Sequence, residues 1–358
     1  MPSITFELET VTPLFLAGAD QTAAELRPPA FRGALRYWFR ALIGGYYWDN
    51  STLQKLREVE SSLLGDTNTY GSSKIILRII NTPEFKPLPV PMIQDRQRKK
   101  DGSGIGYLFF SMDMQNRKAI GVNQAVKFSL KISTRLNPNI SKEEAEKNLL
   151  IAVNCFWFAI ILGGIGSRER RGAGSLRVIE IQSQDIENQQ LPLFILNKNQ
   201  DILSQSLKNQ IQKARINLFQ TLEIDLANLS KITQLPDLET FNKQTMAIYL
   251  INDKFDSWRE ALDFIGQQYG NFRSEEIPKI RKRAVFGLPL KPVDEINRRS
   301  SPFRIKIIKS LDGFYILLMR LMASFPPNQT NQNVNIQPSS FKVIDEFINS
   351  FEYIERIF

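Results

Sequence analysis

The 358-residue chain contains no histidine and a single cysteine. Histidine is the usual general acid or base near neutral pH and a common metal ligand, so its absence excludes histidine-dependent catalysis. One cysteine, Cys155, excludes an internal disulfide and a thiolate zinc site alike. Placed in the apolar run IAVNCFWFAIIL, it reads as a small buried residue rather than a nucleophile, and no metal site or other cofactor is expected. No apolar run reaches the roughly 18 residues of a membrane span. The opening MPSITFELETVTPLFL alternates like a strand and lacks a basic region followed by an apolar one. The expectation is a cytoplasmic chain that does not enter a membrane. What is present is positive charge: Lys+Arg number 46 against 37 Asp+Glu, a net +9 that favours a polyanionic partner.

The length predicts two domains. ITFELETVT at 3–11 has the alternation of a half-buried strand, and Pro28 and Pro29 open a helix in which Leu35, Trp38, Phe39 and Leu42 recur at helical spacing. STLQKLREVESSLLG extends the helical region. SKIILRIIN, YLFFSMDM and VKFSLKIST read as strands, with the proline-rich and basic FKPLPVPMIQDRQRKKDGSGIG before YLFF as a mobile loop. SKEEAEKNLLIAV then begins a helix through a capping box of Ser141 and Glu144, and SLRVIEIQ closes with a strand. Strand, helix, strands, helix, strand is the order of a ferredoxin-like domain with an antiparallel sheet, one face covered by helices and the other available. The expected class is therefore α+β: an N-terminal ferredoxin-like domain at 1–185, an Asn/Gln-rich helical insert at 186–244, and a second, less regular α+β unit at 245–358. PPNQTNQNVNIQP at 326–338 reads as a disordered loop.

Two arginine-bearing segments stand out. In ELRPPAFRGALRYWFRA, Arg32, Arg36 and Arg40 are four apart and share a helix face, with Arg27 just before the turn. No acid lies between Glu25 and Asp49 to neutralise them, so the face reads as unpaired. A basic face kept only for solubility is the plain alternative. Arginine suits planar phosphate recognition, and Gly33 gives a ligand close access to the backbone. The second segment, GGIGSRERRGAGSL at 163–176, leaves a helix and enters a strand. Gly163, Gly164, Gly166, Gly172 and Gly174 permit conformations in which backbone N–H groups converge on an anion, and Arg168, Arg170 and Arg171 add charge. A tight turn needs fewer glycines.

RKRAVFGLP at 281–289 and RRSSPFRIK at 298–306 form a third group. Arg298 and Arg299 are phosphate candidates, and Arg281, Lys282 and Arg283 suit a solvated run equally well. Of the aromatic cluster from Tyr37 to Trp48, Trp38 and Phe39 belong to the core by spacing, while the others could stack bases. Asp20, Asp95 and Asp101 are not spaced to hold a metal or share a proton.

TPLFLAGAD, ELRPPAFRGALRYWFRA, GGIGSRERRGAGSL and FGLP followed by RRSSPFRIKI together resemble the RAMP superfamily, and more narrowly the first Cmr subunits of type III-B CRISPR effector complexes. The resemblance implies two ferredoxin-like, RRM-related domains and a place distal to the guide 5′ handle. The partners it implies are single-stranded RNA, guide or target, and the other RAMP subunits of the Cmr complex. Target cleavage then belongs to a neighbouring subunit, and this chain has no catalytic residues. Arg27, Arg32, Arg36, Arg40 and the 163–174 loop become the RNA-facing candidates. Ala173 departs from relatives that carry an aromatic residue there. Contact with the sugar-phosphate backbone makes binding independent of sequence and strongly dependent on salt. Two alternatives stay open: a RAMP endoribonuclease working without histidine, and a protein scaffold that does not touch RNA.

Overall fold

The computed structural model describes residues 1–18, 23–46, 52–95, 97–135, 140–184, 186, 190–194, 199–225, 235–275, 284–287, 300–324 and 338–358. Asp20, Arg281, Lys282, Arg283, Arg298, Arg299 and all of the 326–338 segment except Pro338 lie outside them.

The chain opens with β1 (Ser3–Thr10), α1 (Pro28–Gly44), α2 (Thr52–Leu64) and β2 (Ile75–Asn81). A two-residue pairing of β3 (Leu88–Pro89) with β4 (Lys118–Ala119) brackets α3 (Ser103–Asp113). Then come β5 (Lys127–Thr134), α4 (Lys142–Ile161) and β6 (Leu176–Gln184). The first sheet runs β2-β5-β1-β6, antiparallel throughout, which is the ferredoxin-like arrangement that the element order implied. Ile4, Phe6 and Leu8 of β1 are fully buried, as the alternation required. The capping box forms: Ser141 Oγ accepts from the Glu144 amide at 3.0 Å. Helix α4 is apolar on every side because it is sandwiched between α1, the sheet and α5 (Gln200–Thr221). Cys155 lies in this run at 1 % exposure, and burial raises its thiol pKa well above the usual range.

The second half repeats the pattern with β7 (Met246–Phe255), α6 (Trp258–Glu275), β8 (Phe303–Lys309), β9 (Phe314–Leu321), α7 (Lys342–Ile348) and β10 (Ile354–Arg356). Its sheet runs β10-β7-β9-β8, again antiparallel and again ferredoxin-like. No face of this sheet is free. Ile248, Leu250, Leu317 and Met319 join the core shared with α4 and α5, while Ile251, Ile305, Ile307 and Leu318 join a second core with α3, α6 and α7. Helix α5 belongs to the first core through Leu203, Leu207, Ile211 and Leu218.

YLFFSMDM is not a strand: residues 103–113 form α3. The segment is apolar on nearly all sides and shorter than a confident periodicity window, where strand and buried helix read alike. Its place is fixed by glycines. A Cβ on Gly104 would sit 1.9 Å from the Asp263 carbonyl oxygen, and one on Gly266 2.2 Å from the Gly104 carbonyl oxygen, so α3 and α6 cross backbone to backbone. Asp263 caps the crossing by accepting from the amides of Gly102, Gly104 and Ile105 at 2.7–3.2 Å. The preceding basic stretch is likewise held. Asp95 accepts from the amides of Gln97, Lys99 and Lys100, and Val90 is buried.

Candidate nucleic-acid interface

Helix α1 presents its arginines as the spacing required, but the face is not unpaired. Glu60, buried on α2, receives Arg36 Nη1 at 2.6 Å and Arg40 Nε at 2.6 Å. Arg36 also donates to the carbonyls of Leu64 and Gly65, which ties down the end of α2. The neutralising acid lies outside the window from Glu25 to Asp49, on the next helix. Arg27 donates to the Ala17 carbonyl at 3.0 Å. Arg32 stays exposed beside Gly33, where an added Cβ would meet nothing within 4 Å.

The glycine-rich loop is a strap between the two halves. The Ser167 amide donates to the Phe15 carbonyl at 2.9 Å, the Gly174 amide to Pro13 at 2.8 Å, and Ile305 of β8 donates back to the Arg170 carbonyl at 3.2 Å. Thr12 Oγ1 donates to the Gly172 carbonyl at 2.7 Å and accepts from the Ser175 amide. The glycines are required by close approach. At Gly174 (φ +66°) a Cβ would be 2.0 Å from the Ile165 carbonyl oxygen, and at Gly163 2.6 Å from Trp38 Nε1. Gly164 and Gly166 press as closely on Ala173 and Phe15. The amides of Ile165, Ser167, Arg171, Gly172, Ala173 and Gly174 thus donate within the protein. These N–H groups are spent inside the protein rather than offered to an anion, and close packing accounts for the glycines.

The loop's three arginines part company. Arg170 points inward and meets Glu239 at 2.5 Å and Glu169 at 3.4 Å. Arg304 on β8, 2 % exposed, joins Glu169 at 2.9 Å and Glu239 at 3.4 Å and lies 4.4 Å over the Tyr37 ring. Tyr37 donates its hydroxyl to Glu239. Burial alone would raise the Glu239 pKa, but Arg170 and Arg304 hold it below the usual carboxylate range. This closed network joins α1, the strap, β8 and the 235–244 segment.

Arg168 and Arg171 point the other way, into a cleft of about 460 Å³ between α3 and α6. Arg98, from the basic stretch, and Arg273, on α6, complete a wall of four guanidinium groups. Their partners are neutral. Arg168 donates to Ser111 Oγ at 2.9 Å, Arg98 to Asn271 Oδ1 at 2.8 Å and to Ser274, Arg273 to Tyr107 Oη at 2.9 Å, and Arg171 to the Phe286 carbonyl at 3.3 Å. Aromatic faces flank each: Phe110 under Arg168, Tyr107 under Arg98, and Tyr269 under both Arg171 (4.7 Å) and Arg273 (5.5 Å). Among the described residues the one carboxylate in the lining, Asp95, is engaged by its own loop's amides. Burial, and after it the nearby Arg171 charge, push the Arg168 pKa down to about 10. Arg171 Nη1 and Arg273 Nε are themselves buried, and both guanidinium groups lie against Tyr269.

Two of these arginines also hold unusual backbone conformations. Arg98 (φ +53°) and Arg168 (φ +63°) are left-handed, a conformation that side chains bearing a Cβ rarely adopt and that tends to mark functional positions. Sequence reading missed Arg98, Arg273, Tyr107 and Phe110. Tyr269 and Arg273 are four apart, a helical cation-π spacing visible in the sequence, whereas Arg98 is joined to them only by the tertiary fold.

The doubled ferredoxin-like units strapped by a glycine-rich loop define the class, and the RAMP superfamily pattern matches residues 7–177. Among curated relatives, the CRISPR system Cmr subunit Cmr1-2 of Pyrococcus furiosus is 32 % identical over 180 residues, covering 48 % of this chain and 93 % of that protein. Cmr1-1 of the same organism is 26 % identical over 309 residues, 85 % of this chain and 82 % of that one. The chain belongs to the RAMP superfamily and, within it, to the Cmr1 subunits of type III-B CRISPR systems. The fold matches apo Cmr1 from Pyrococcus furiosus with a TM-score of 0.68 at 20 % identity, over 100 % of this chain and 99 % of that one. It also matches a chain in the type III-B Cmr-beta complex bound to cognate target RNA, with a TM-score of 0.63 at 14 % identity over 96 % and 99 %. Among the described residues no helix is long and apolar enough to cross a membrane.

Proposed function

We propose that this Cmr subunit binds single-stranded RNA without cutting it, holding guide 3′ or target RNA by its sugar-phosphate backbone within the complex. The observation that carries the reading is the α3–α6 cleft, in which four guanidinium groups face one space with neutral partners. Such a wall attracts a polyanion and offers planar donors to phosphate oxygens. Arg27 and exposed Arg32 continue the positive surface at the start of α1. Arg27 hangs on Ala17, two residues from the Phe15 carbonyl that anchors Ser167 next to Arg168. Arg36, Arg40 and Arg170 support that surface through Glu60, Glu169 and Glu239. That a similar chain is part of a Cmr-beta complex bound to cognate target RNA supports an RNA-associated role among other Cmr subunits. Domain limits of 1–185, 186–244 and 245–358, with the central helix serving as a brace, fit the same picture.

The test is titration of labelled single-stranded RNA by the full chain, with and without magnesium. The reading expects saturable, salt-sensitive binding and intact RNA. Discrete products that vanish on chelation would replace it with the endoribonuclease reading. Assembly with neighbouring subunits but no RNA affinity would replace it with the scaffold.

A further inference from the structure

The cleft has features that a track for passing backbone does not need. Beside the arginines, its lining includes the buried Ser103, Leu108 and Tyr269, so a ligand meets apolar and aromatic wall as well as charge. Its volume of about 460 Å³ is on the scale of a single small-molecule ligand. Its charge also exceeds what one diester requires: among the described residues, four guanidinium groups face a space whose only carboxylate is held by loop amides. A phosphodiester brings one negative charge and two free oxygens. A terminal phosphomonoester brings nearly two charges at neutral pH and three oxygens. At the mouth, Phe110 is 47 % exposed with the Arg168 guanidinium 5.9 Å from its ring centroid, a planar pair against which a base can stack.

We infer that the α3–α6 cleft is an end-binding pocket that takes a terminal nucleotide of single-stranded RNA bearing a phosphomonoester, with the phosphate among Arg98, Arg171 and Arg273 and the base against Arg168 and Phe110. This rests on the RNA-binding reading above and sharpens it: the pocket distinguishes a phosphorylated end from a hydroxyl end. Either end of RNA can carry that group, so both are tested.

One short RNA is prepared with a 5′-phosphate, with a 3′-phosphate and with hydroxyls at both ends, and its affinity for the full chain is measured by fluorescence anisotropy at a single salt concentration. At least one phosphorylated form is expected to bind ten-fold or more tightly than the hydroxyl form; which one identifies the end. Arg171→Gln with Arg273→Gln removes that preference: the phosphorylated forms lose more affinity than the hydroxyl form, and all three RNAs then bind the variant alike. Because those two side chains are largely buried, Arg98→Gln and Phe110→Ala, at more accessible positions, are measured in parallel and also reduce the preference. Equal affinity for all three RNAs overturns the end-binding pocket and leaves backbone binding standing. No affinity for any of them overturns both.

Discussion

Arg168, Arg170 and Arg171 lie within four residues of one loop and have opposite surroundings. Arg170 is enclosed with Arg304, Glu169, Glu239 and Tyr37, and each charge there has an opposite charge in contact. Arg168 and Arg171 stand with Arg98 and Arg273 among hydroxyls, amides, carbonyls and aromatic rings. The physical consequence is a division of labour. The neutralised network clamps the two halves together and has little field left to offer. The other keeps its field because aromatic faces, rather than carboxylates, accommodate its cations. Composition cannot separate the two, since both are arginines between the same glycines.

The sharpest way to break the contrast is to remove the shared acid. Glu239→Ala leaves Arg170 and Arg304 short of a buried partner, and should destabilise the fold by about 3–5 kcal/mol in urea unfolding. A loss below about 1 kcal/mol would mean that the inner network is not the clamp described.

Lys306 on β8 sharpens it from the other side, being a buried cation whose Nζ has no hydrogen-bond partner. Burial pushes its pKa down to about 7, against only partial support from Glu169. The unfolded chain, with a lysine near 10.5, binds more protons than the folded one between those values, so stability rises with pH from about 7 to 10.5. Lys306→Met should therefore stabilise the protein by about 2–4 kcal/mol below pH 7, with the gain shrinking towards pH 10.5. Melting curves across that range check it, and a gain that does not vary with pH would contradict it.

A smaller effect separates the glycines of the strap from that of the helix. Gly172 (φ +84°) has Leu262 Cδ2 2.5 Å from where a Cβ would lie, so Gly172→Ala should cost about 1–3 kcal/mol. Gly33 is helical with open space around it, and Gly33→Ala should add about 0.5–1 kcal/mol of stability. Denaturant midpoints of the two variants should move in opposite directions.

The N-terminal ferredoxin-like unit was legible in the sequence because strand alternation, the capping box and the order of elements agreed with one another, whereas the second read only as a less regular α+β unit whose ferredoxin-like order came from the family resemblance. Helix α3 was not legible, since its apolar residues face neighbours on several sides and its position depends on the contact of Gly104 with Gly266. At the candidate site, the strap and its arginines were visible, but their directions were not. Glu60 and Glu239, the acids that neutralise Arg36, Arg40 and Arg170, lie 20 to 69 residues away from them. Arg98 and Arg273 reach the cleft from segments 175 positions apart, and no local pattern links them.

If the cleft arginines hold RNA, rather than the network behind them, salt dependence reports it most directly. Single-stranded RNA binding is measured across salt concentrations for the wild-type chain and for an Arg98→Gln, Arg168→Gln, Arg171→Gln variant, with folding verified by matching melting curves. The variant should bind about ten-fold or more weakly, with a log-log slope shallower by about 0.7 for each phosphate it no longer neutralises. A folded variant with unchanged affinity and an unchanged slope would contradict the assignment of the cleft to RNA.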